Sequence, residues 1–205
     1  MNKIIRGSLY VISGASGVGK STIIAKFLAD HPEIYFSVSC TTRAPREGEA
    51  DGVSYHFIAR EEFERRIAAD DFLEYAQYVG NYYGTSGQIV EEKLAAGTDV
   101  LLDIEVQGAQ KVKDKSPEAT LIFIIPPSFE ELRRRLRARG TDSEEKIQDR
   151  LERAREEYEK LDNYRYIVVN DRVEVAAAEL EAIITAERCR VFRRKHLTEE
   201  GVQSL

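Results

Sequence analysis

The chain has 205 residues, of which 42% are hydrophobic and 32% are charged, and its formal net charge is −6. This length suits one domain with a sizeable core and small insertions. An acidic chain is a poor general binder of nucleic acid, whose affinity depends on neutralised phosphates, but a small anionic ligand is still allowed. No apolar run reaches about 18 residues, so we expect no transmembrane helix and no membrane partner.

The two cysteines, Cys40 and Cys189, lie far apart and match no metal-ligand spacing. We interpret both as reduced thiols and expect a cytoplasmic protein, with a disulfide between them as the alternative. The start of the sequence lacks the layout of a signal peptide and leads straight into the first predicted strand.

The first predicted elements are a strand over 9–12 and a helix with apolar residues at helical spacing over 23–28. The loop between them, Gly14 to Ser21, matches the phosphate-binding pattern G-x-x-x-x-G-K-[ST] completely. Its glycines let backbone N–H groups face an anion, Lys20 adds a charge for the distal phosphates, and the Ser21 hydroxyl can bind Mg²⁺. A chance glycine loop is the alternative. The flanking strand and helix favour a nucleoside triphosphate site.

Residues 38–88 form the next predicted unit, in which Gly, Ser, Thr, Tyr and Arg are frequent. The pattern predicts a short helix over 61–70 and a β-hairpin over 75–84, with its turn at Gly80-Asn81. We interpret this unit as an inserted small mixed α/β subdomain built on antiparallel strands.

Three further apolar runs, at 100–102, 121–125 and 166–169, predict core strands. They are continuous rather than alternating, as expected for strands buried on both faces, and helical stretches separate them. The fold class is therefore α/β, with a parallel sheet flanked by helices. Ligands bind beyond the carboxyl ends of such strands, where the glycine loop, Asp103 and Asn170 lie.

A highly charged segment over 129–160 predicts two helices broken at Gly140, with Ser143 as the N-cap of the second. A helical pattern from 173 to about 195 ends the fold. We expect a core made of 1–37, 89–128 and 156–205, the inserted subdomain 38–88, and a helical lid over 129–155.

Two carboxylates are candidates for binding chemistry. Asp103 follows a strand in the manner of a second Mg²⁺ anchor, and the alternative is an ordinary cap of the next helix. The Glu74 carboxylate can accept hydrogen bonds from the imide N–H and the amine of guanine, a pair that adenine lacks. A solvated surface position is the alternative for Glu74.

The arginines are the second signal, because guanidinium groups bind phosphate oxygens bidentately. Arg43 and Arg46 flank a proline in a segment that should be extended. Arg135 and Arg139 share a helix face beside a flexible glycine, where a mobile flap would bring them over a triphosphate. The alternative for about half of the arginines over 133–139 is a solvated helix surface on which they pair with Glu side chains.

Eight strings follow one another along the chain, at 13–22, 37–46, 52–57, 72–76, 81–85, 103–108, 139–141 and 169–171. The most specific are Thr-Thr-Arg-x-Pro-Arg at 41–46 and Asn-Tyr-Tyr-Gly at 81–84. Through these strings the chain resembles the guanylate kinase family over nearly its whole length, and its size resembles the stand-alone bacterial enzymes. The resemblance implies a P-loop kinase fold and transfer of the γ-phosphoryl group of ATP to GMP or dGMP, with Mg²⁺, in purine nucleotide recycling. The sequence leaves monomer or homo-oligomer open.

The resemblance also implies a role for each matching position. The ATP-binding positions are Gly14, Ala15, Ser16, Gly17, Val18, Gly19, Lys20, Ser21, Thr22, Arg135 and Asn170. The GMP phosphate is held by Ser39, Arg43, Arg46, Tyr55 and Tyr83, and guanine is contacted by Glu74, Thr85 and Glu105. The catalytic positions are Lys20, Arg43, Asp103, Arg139 and Arg150, with Ser21 and Asp103 near Mg²⁺, partly through water.

Two positions depart from the family pattern. Glu105 stands where many members carry Asp, and its longer side chain could change the contact with the guanine amine. Thr85 stands where others carry Ser and keeps the hydroxyl.

Three other functions share some of these sequence features. They are a kinase for another phosphate acceptor such as ribose bisphosphate, a non-catalytic module that binds phosphopeptides, and a GTP-hydrolysing switch. Glu74 and Thr85 argue against the first, the intact Lys20 and Ser21 against the second, and the lack of an Asn-Lys-x-Asp string against the third.

Overall fold

The computed structural model describes residues 5–78, 80–138, 140 and 142–195. In chain order its elements are β1 (Leu9–Ser13), α1 (Lys20–Asp30), β2 (Tyr35–Phe36), β3 (Cys40–Thr41), β4 (His56–Phe57), α2 (Arg60–Ala68), β5 (Phe72–Tyr78), β6 (Asn81–Ser86), α3 (Gly87–Ala95), β7 (Val100–Asp103), α4 (Val106–Lys115), β8 (Thr120–Ile125), α5 (Phe129–Ala138), α6 (Glu144–Tyr158), β9 (Tyr166–Val169) and α7 (Val173–Arg188). Among these described residues, none of the helices combines the length and apolarity needed to cross a bilayer.

A five-stranded parallel sheet forms the centre of the molecule, in the order β2-β7-β1-β8-β9. Side chains of β1 alternate between two apolar layers: Tyr10 and Ile12 face α1, α5, α6 and α7, whereas Leu9 and Val11 face α3 and α4. The predicted α/β class with a parallel sheet and flanking helices is confirmed.

The prediction that every core strand is buried on both faces is wrong for β9. Its Ile167 and Val169 are 49% and 39% exposed. β9 pairs only with β8 among the described strands and lies at the edge of the sheet. At this end of the sheet, neither residue belongs to the apolar layer that α3 and α4 form with the inner strands, so their face of β9 stays exposed.

Residues 38–88 hold a second sheet, in the order β4-β3-β6-β5. Phe63 of α2 packs on it against Cys40 and Phe72, which form a small separate core. The subdomain is mixed rather than wholly antiparallel, because β3 pairs in parallel with β4 and antiparallel with β6. The predicted turn at Gly80-Asn81 is wrong for Asn81, which already pairs with Tyr78 at the end of β5.

The charged segment forms two helices, α5 and α6, as predicted. The Ser143 side chain caps α6 by accepting a hydrogen bond from the Lys146 N–H. Leu132 and Leu136 of α5 are fully buried in the main core, so the apolar face of this segment packs against the sheet layer. Helix α7 ends at Arg188, before the predicted end near 195, and helical backbone resumes at 191–195.

Both cysteines are free thiols, as predicted. Cys40 is buried in the second sheet and Cys189 is exposed at the end of α7.

Candidate functional site

The glycine loop joins β1 to α1 beyond the carboxyl end of the central strand. Gly14 and Gly19 have φ angles of 154° and 92°, which favour glycine. A Cβ at Gly14 would lie 2.4 Å from the Ile124 carbonyl oxygen, and one at Gly19 would lie 2.4 Å from the Asn170 amide nitrogen. Ile124 and Asn170 therefore leave no room for a side chain at these two positions of the loop.

Lys20 is the first residue of α1 and lies at the mouth of the loop. Its ammonium group donates a hydrogen bond of 2.7 Å to the Gly14 carbonyl oxygen. The first backbone N–H groups of α1 and the positive end of its helix dipole lie at the end of the helix where Lys20 stands. The loop thus combines a full positive charge with oriented backbone donors, as an anion site requires.

Two residues from distant segments support the loop from behind. The Asn170 side chain donates to the Val18 carbonyl oxygen at 2.7 Å. The Arg135 guanidinium donates to the Asn170 carbonyl oxygen at 2.8 Å and is held by Glu131 at 2.7 Å. Both residues, predicted to contact ATP, therefore lie against the loop.

Arg150 also reaches the loop, since its guanidinium donates to the Ser16 hydroxyl at 2.7 Å. An ion pair of 3.2 Å with Asp142 holds it from the other side. Arg139, the remaining predicted lid arginine, lies outside the described residues.

A cavity of about 380 Å³ lies between the glycine loop, the end of β7 and the second sheet. Eight of the predicted site residues line it: Lys20, Ser21, Ser39, Tyr55, Glu74, Tyr83, Asp103 and Glu105. The fold therefore brings the phosphate loop and most of the predicted GMP positions to one cavity.

Arg43 and Arg46 are not among the residues that line this cavity. The Arg43 guanidinium lies 5.4 Å from the centre of the Tyr55 ring and pairs with Glu49 at 2.8 Å. Hydrogen bonds with Glu49 and Tyr83 raise the pKa of Arg43, so it stays charged beside two cavity residues. Arg46 is exposed, and its backbone N–H donates to Glu49 at 2.8 Å.

Glu74 also lines the cavity, and the residue is only 7% exposed. Burial raises the pKa of this carboxyl, while the hydrogen bond from Thr85 lowers it. The Thr85 hydroxyl donates to Glu74 Oε1 at 2.8 Å. Thr85 is buried and is not among the described residues that line the cavity, whereas Glu105 is exposed at the N-cap of α4 and lines it.

Asp103 ends β7, and burial raises the pKa of its carboxyl while the charge of Lys20 lowers it. The N-cap of α4 is Glu105, so Asp103 is not the cap of that helix. Glu157 of α6 also lies in the field of Lys20, and burial raises the pKa of its carboxyl as well. Two carboxylates, Asp103 and Glu157, thus lie in the field of the loop lysine, and the sequence identified only Asp103.

The residues present fit a magnesium ion only in company with phosphate. Within the described ranges, no three His, Cys, Asp or Glu side chains are arranged to hold a metal ion. Ser21 and Asp103 offer two oxygens to the same cavity. Mg²⁺ commonly takes one or two protein oxygens together with phosphate and water oxygens, which matches this pair.

Sequence reasoning missed Glu49, which pairs with Arg43, and gave no role to Gly108 or Lys111 beside Glu74. Glu49 carried no signal, because a lone Glu in a polar loop has no spacing that marks a partner. Gly108 was within the recognised string 103–108, and a glycine inside a helical pattern was the available signal.

Comparison with known proteins decides the family. The profile described as Guanylate kinase matches residues 6–187. The chain belongs to the guanylate kinase family. A guanylate kinase from Clostridium perfringens is 52% identical over 198 residues, which cover 95% of this chain and 92% of that protein. One from Neisseria gonorrhoeae is 51% identical over 197 residues, covering 96% and 95%.

A solved structure supports the same assignment. The crystal structure of guanylate kinase from Anaplasma phagocytophilum is 35% identical and superposes with a TM-score of 0.75. The match covers 92% of this chain and 90% of that one. The likeness to this guanylate kinase therefore spans both the sheet core and the inserted subdomain.

Proposed function

We infer that the chain transfers the γ-phosphoryl group of ATP to GMP, giving ADP and GDP. One observation carries this assignment beyond the family: a single cavity is lined by the loop lysine, Lys20, and by the buried carboxylate of Glu74. The first suits a nucleoside triphosphate, and the second suits the donor edge of guanine.

The ATP phosphates are proposed to lie in the Gly14–Ser21 loop, with residues 15–19 and Thr22 around them. Lys20 exchanges its contact with the Gly14 carbonyl oxygen for the distal phosphates. Arg135 and Asn170, which support the loop, lie on the adenosine side, and Arg150 and Arg139 close on the transferred group. Charge spread over the moving phosphoryl group is stabilised by such cations.

The GMP phosphate is proposed to bind among Ser39, Arg43, Tyr55 and Tyr83, with Arg46 turning inward to join them. Glu74 then accepts hydrogen bonds from the imide N–H and the amine of guanine. Glu105 completes the contacts of the base, while the Thr85 hydroxyl holds the Glu74 carboxylate in place. Adenine would leave the buried carboxylate without donors, which costs about 1–3 kcal/mol or more.

The protein supplies position and charge rather than a covalent intermediate. Arg43 aims the acceptor phosphate at the γ-phosphorus, and no general base is needed, since a phosphate monoester is already anionic near neutral pH. A Mg²⁺ ion near Ser21 and Asp103 would neutralise charge on the triphosphate when bound. Movement of residues 38–88 and 129–155 toward the core is proposed to exclude water, which would otherwise accept the phosphoryl group.

The test is a coupled ADP-release assay with ATP and Mg²⁺ against GMP, dGMP, AMP, UMP and CMP. We expect kcat/KM for GMP to exceed that for AMP by at least 10²-fold, because a site built around hydrogen bonds rejects a base that lacks them. dGMP should be used within about tenfold of GMP, because the proposed contacts are to base and phosphate. Equal turnover of AMP, or no ADP release with any acceptor, would contradict the proposal.

A further inference from the structure

Gly108 lies in the first turn of α4, next to the carboxylate of Glu74. Glycine weakens a helix relative to alanine, so its presence inside a regular helix calls for a local reason. Gly108 is not one of the glycines with a positive φ, and the backbone would accept any L-residue. The reason must therefore lie in the space beside it.

That space is closed by one group. A Cβ placed on Gly108 would lie 2.8 Å from Glu74 Oε2 and 3.2 Å from Glu74 Cδ. The next atom, Ile104 Cδ1, is 3.5 Å away, which is ordinary van der Waals contact. A methyl group here would thus displace the carboxylate of Glu74 and leave the other neighbours in place.

The carboxylate is held from its other sides as well. Thr85 donates to Oε1 at 2.8 Å, and Glu74 is only 7% exposed, so the group has little room to move elsewhere. One turn along α4, Lys111 donates to the Tyr75 carbonyl oxygen at 2.6 Å, and its charge favours the ionised form of Glu74. Helix α4 therefore presents a gap at Gly108 and a positive charge at Lys111 to the same side chain.

We propose that Gly108 is a positioning residue for base selection: its missing side chain creates the space that fixes the Glu74 carboxylate facing guanine. This proposal rests on the assignment of Glu74 as the guanine-reading residue under the proposed function. It assigns part of the choice of base to helix α4, which belongs to the core rather than to the inserted subdomain.

The test compares GMP with IMP, whose base keeps the imide N–H and lacks the amine. In Gly108→Ala we expect KM for GMP to rise tenfold or more and the ratio of kcat/KM for GMP over IMP to fall toward one. KM for ATP should stay within twofold, since the loop is untouched. Asp114→Ala, on the exposed face of α4, raises helix propensity in the same helix and should change none of these values.

Glu74→Ala distinguishes a failure of the role proposed for Glu74 from a failure of the role proposed for Gly108. If Glu74→Ala itself keeps the preference for GMP over IMP, the role of Glu74 fails. If Glu74→Ala abolishes the preference and Gly108→Ala keeps it, the role of Gly108 alone is overturned.

The double variant Gly108→Ala/Glu74→Ala completes the test. Its GMP kinetics should match those of Glu74→Ala, because the added methyl group has no carboxylate to displace. If Gly108→Ala does not fold, circular dichroism should show that the double variant regains the folded state. A double variant that fails to fold, or that loses GMP affinity beyond Glu74→Ala, would overturn the proposal.

Discussion

Replacing Glu74 by Gln is expected to weaken GMP binding selectively. The carboxylate accepts the Thr85 hydroxyl on Oε1 at 2.8 Å and has Oε2 beside Gly108. Two acceptor oxygens match the two donors of guanine, whereas an amide presents one acceptor and one donor. The variant therefore loses one hydrogen bond to a charged group and leaves a guanine donor facing the amide NH₂. A bond of this type contributes about 1.5–3 kcal/mol, which corresponds to roughly a 10- to 150-fold rise in KM for GMP.

The assay is steady-state ADP release with GMP varied at saturating ATP, and then with ATP varied at saturating GMP. KM for ATP should stay within about twofold, because Glu74 contacts Thr85 of β6 and lies against Gly108 of α4 rather than against the loop. Glu61→Gln, an exposed change in α2 of the same subdomain, controls for the loss of one negative charge. An equal rise in both KM values, or an unchanged KM for GMP, would refute the assignment of Glu74 to the base.

Three more outcomes follow from the structure. Lys20→Met should lower kcat by at least about 10²-fold with an unchanged circular dichroism spectrum. Lys26→Met, on the exposed side of α1, should keep kcat near the wild-type value. Equal kcat values for the two variants would show that Lys20 takes no part in the chemistry. Burial raises the pKa of Glu74, so kcat/KM for GMP should fall on the acid side at a higher pH than an ordinary Glu would give. The fall in kcat/KM on the acid side reflects protonation of the Glu74 carboxylate, so Glu74→Gln should abolish it. If the fall persists in Glu74→Gln, it belongs to another group. Arg66→Met should lower the free energy of unfolding in urea by about 2 kcal/mol, because the Arg66 side chain is only 18% exposed and hydrogen-bonds three partners. Arg65→Met should lower it by less than about 1 kcal/mol, because the Arg65 side chain is 70% exposed. Similar losses in the two variants would contradict this difference.

The core strands were predictable because a strand buried on both faces has a continuous apolar run, whereas a strand with one solvated face alternates between apolar and polar residues. β1, β7 and β8 follow that rule. β9 has the same composition but lies at the edge, and only the strand order reveals which run lacks a neighbour. β2 and β3 are two residues each, too short for any periodicity to register.

In the candidate site, too, some residues were predictable from the sequence and others were not. The loop residues were predictable because the whole pattern is local in the chain, and the loop takes the strand–turn–helix form expected of it. The pairing of Arg43 with Glu49 and the fit of Gly108 against Glu74 depend on tertiary placement. Neither contact leaves a periodic trace in the sequence, so both emerged only from the fold.

The most direct test of the account is a crystal structure with ADP, Mg²⁺ and GMP bound together. The account predicts the ADP phosphates in the Gly14–Ser21 loop and the guanine edge on Glu74. It also predicts the GMP phosphate within hydrogen-bond distance of Arg43 and Tyr83. GMP bound outside the cavity, or a guanine ring turned away from the Glu74 carboxylate, would contradict it.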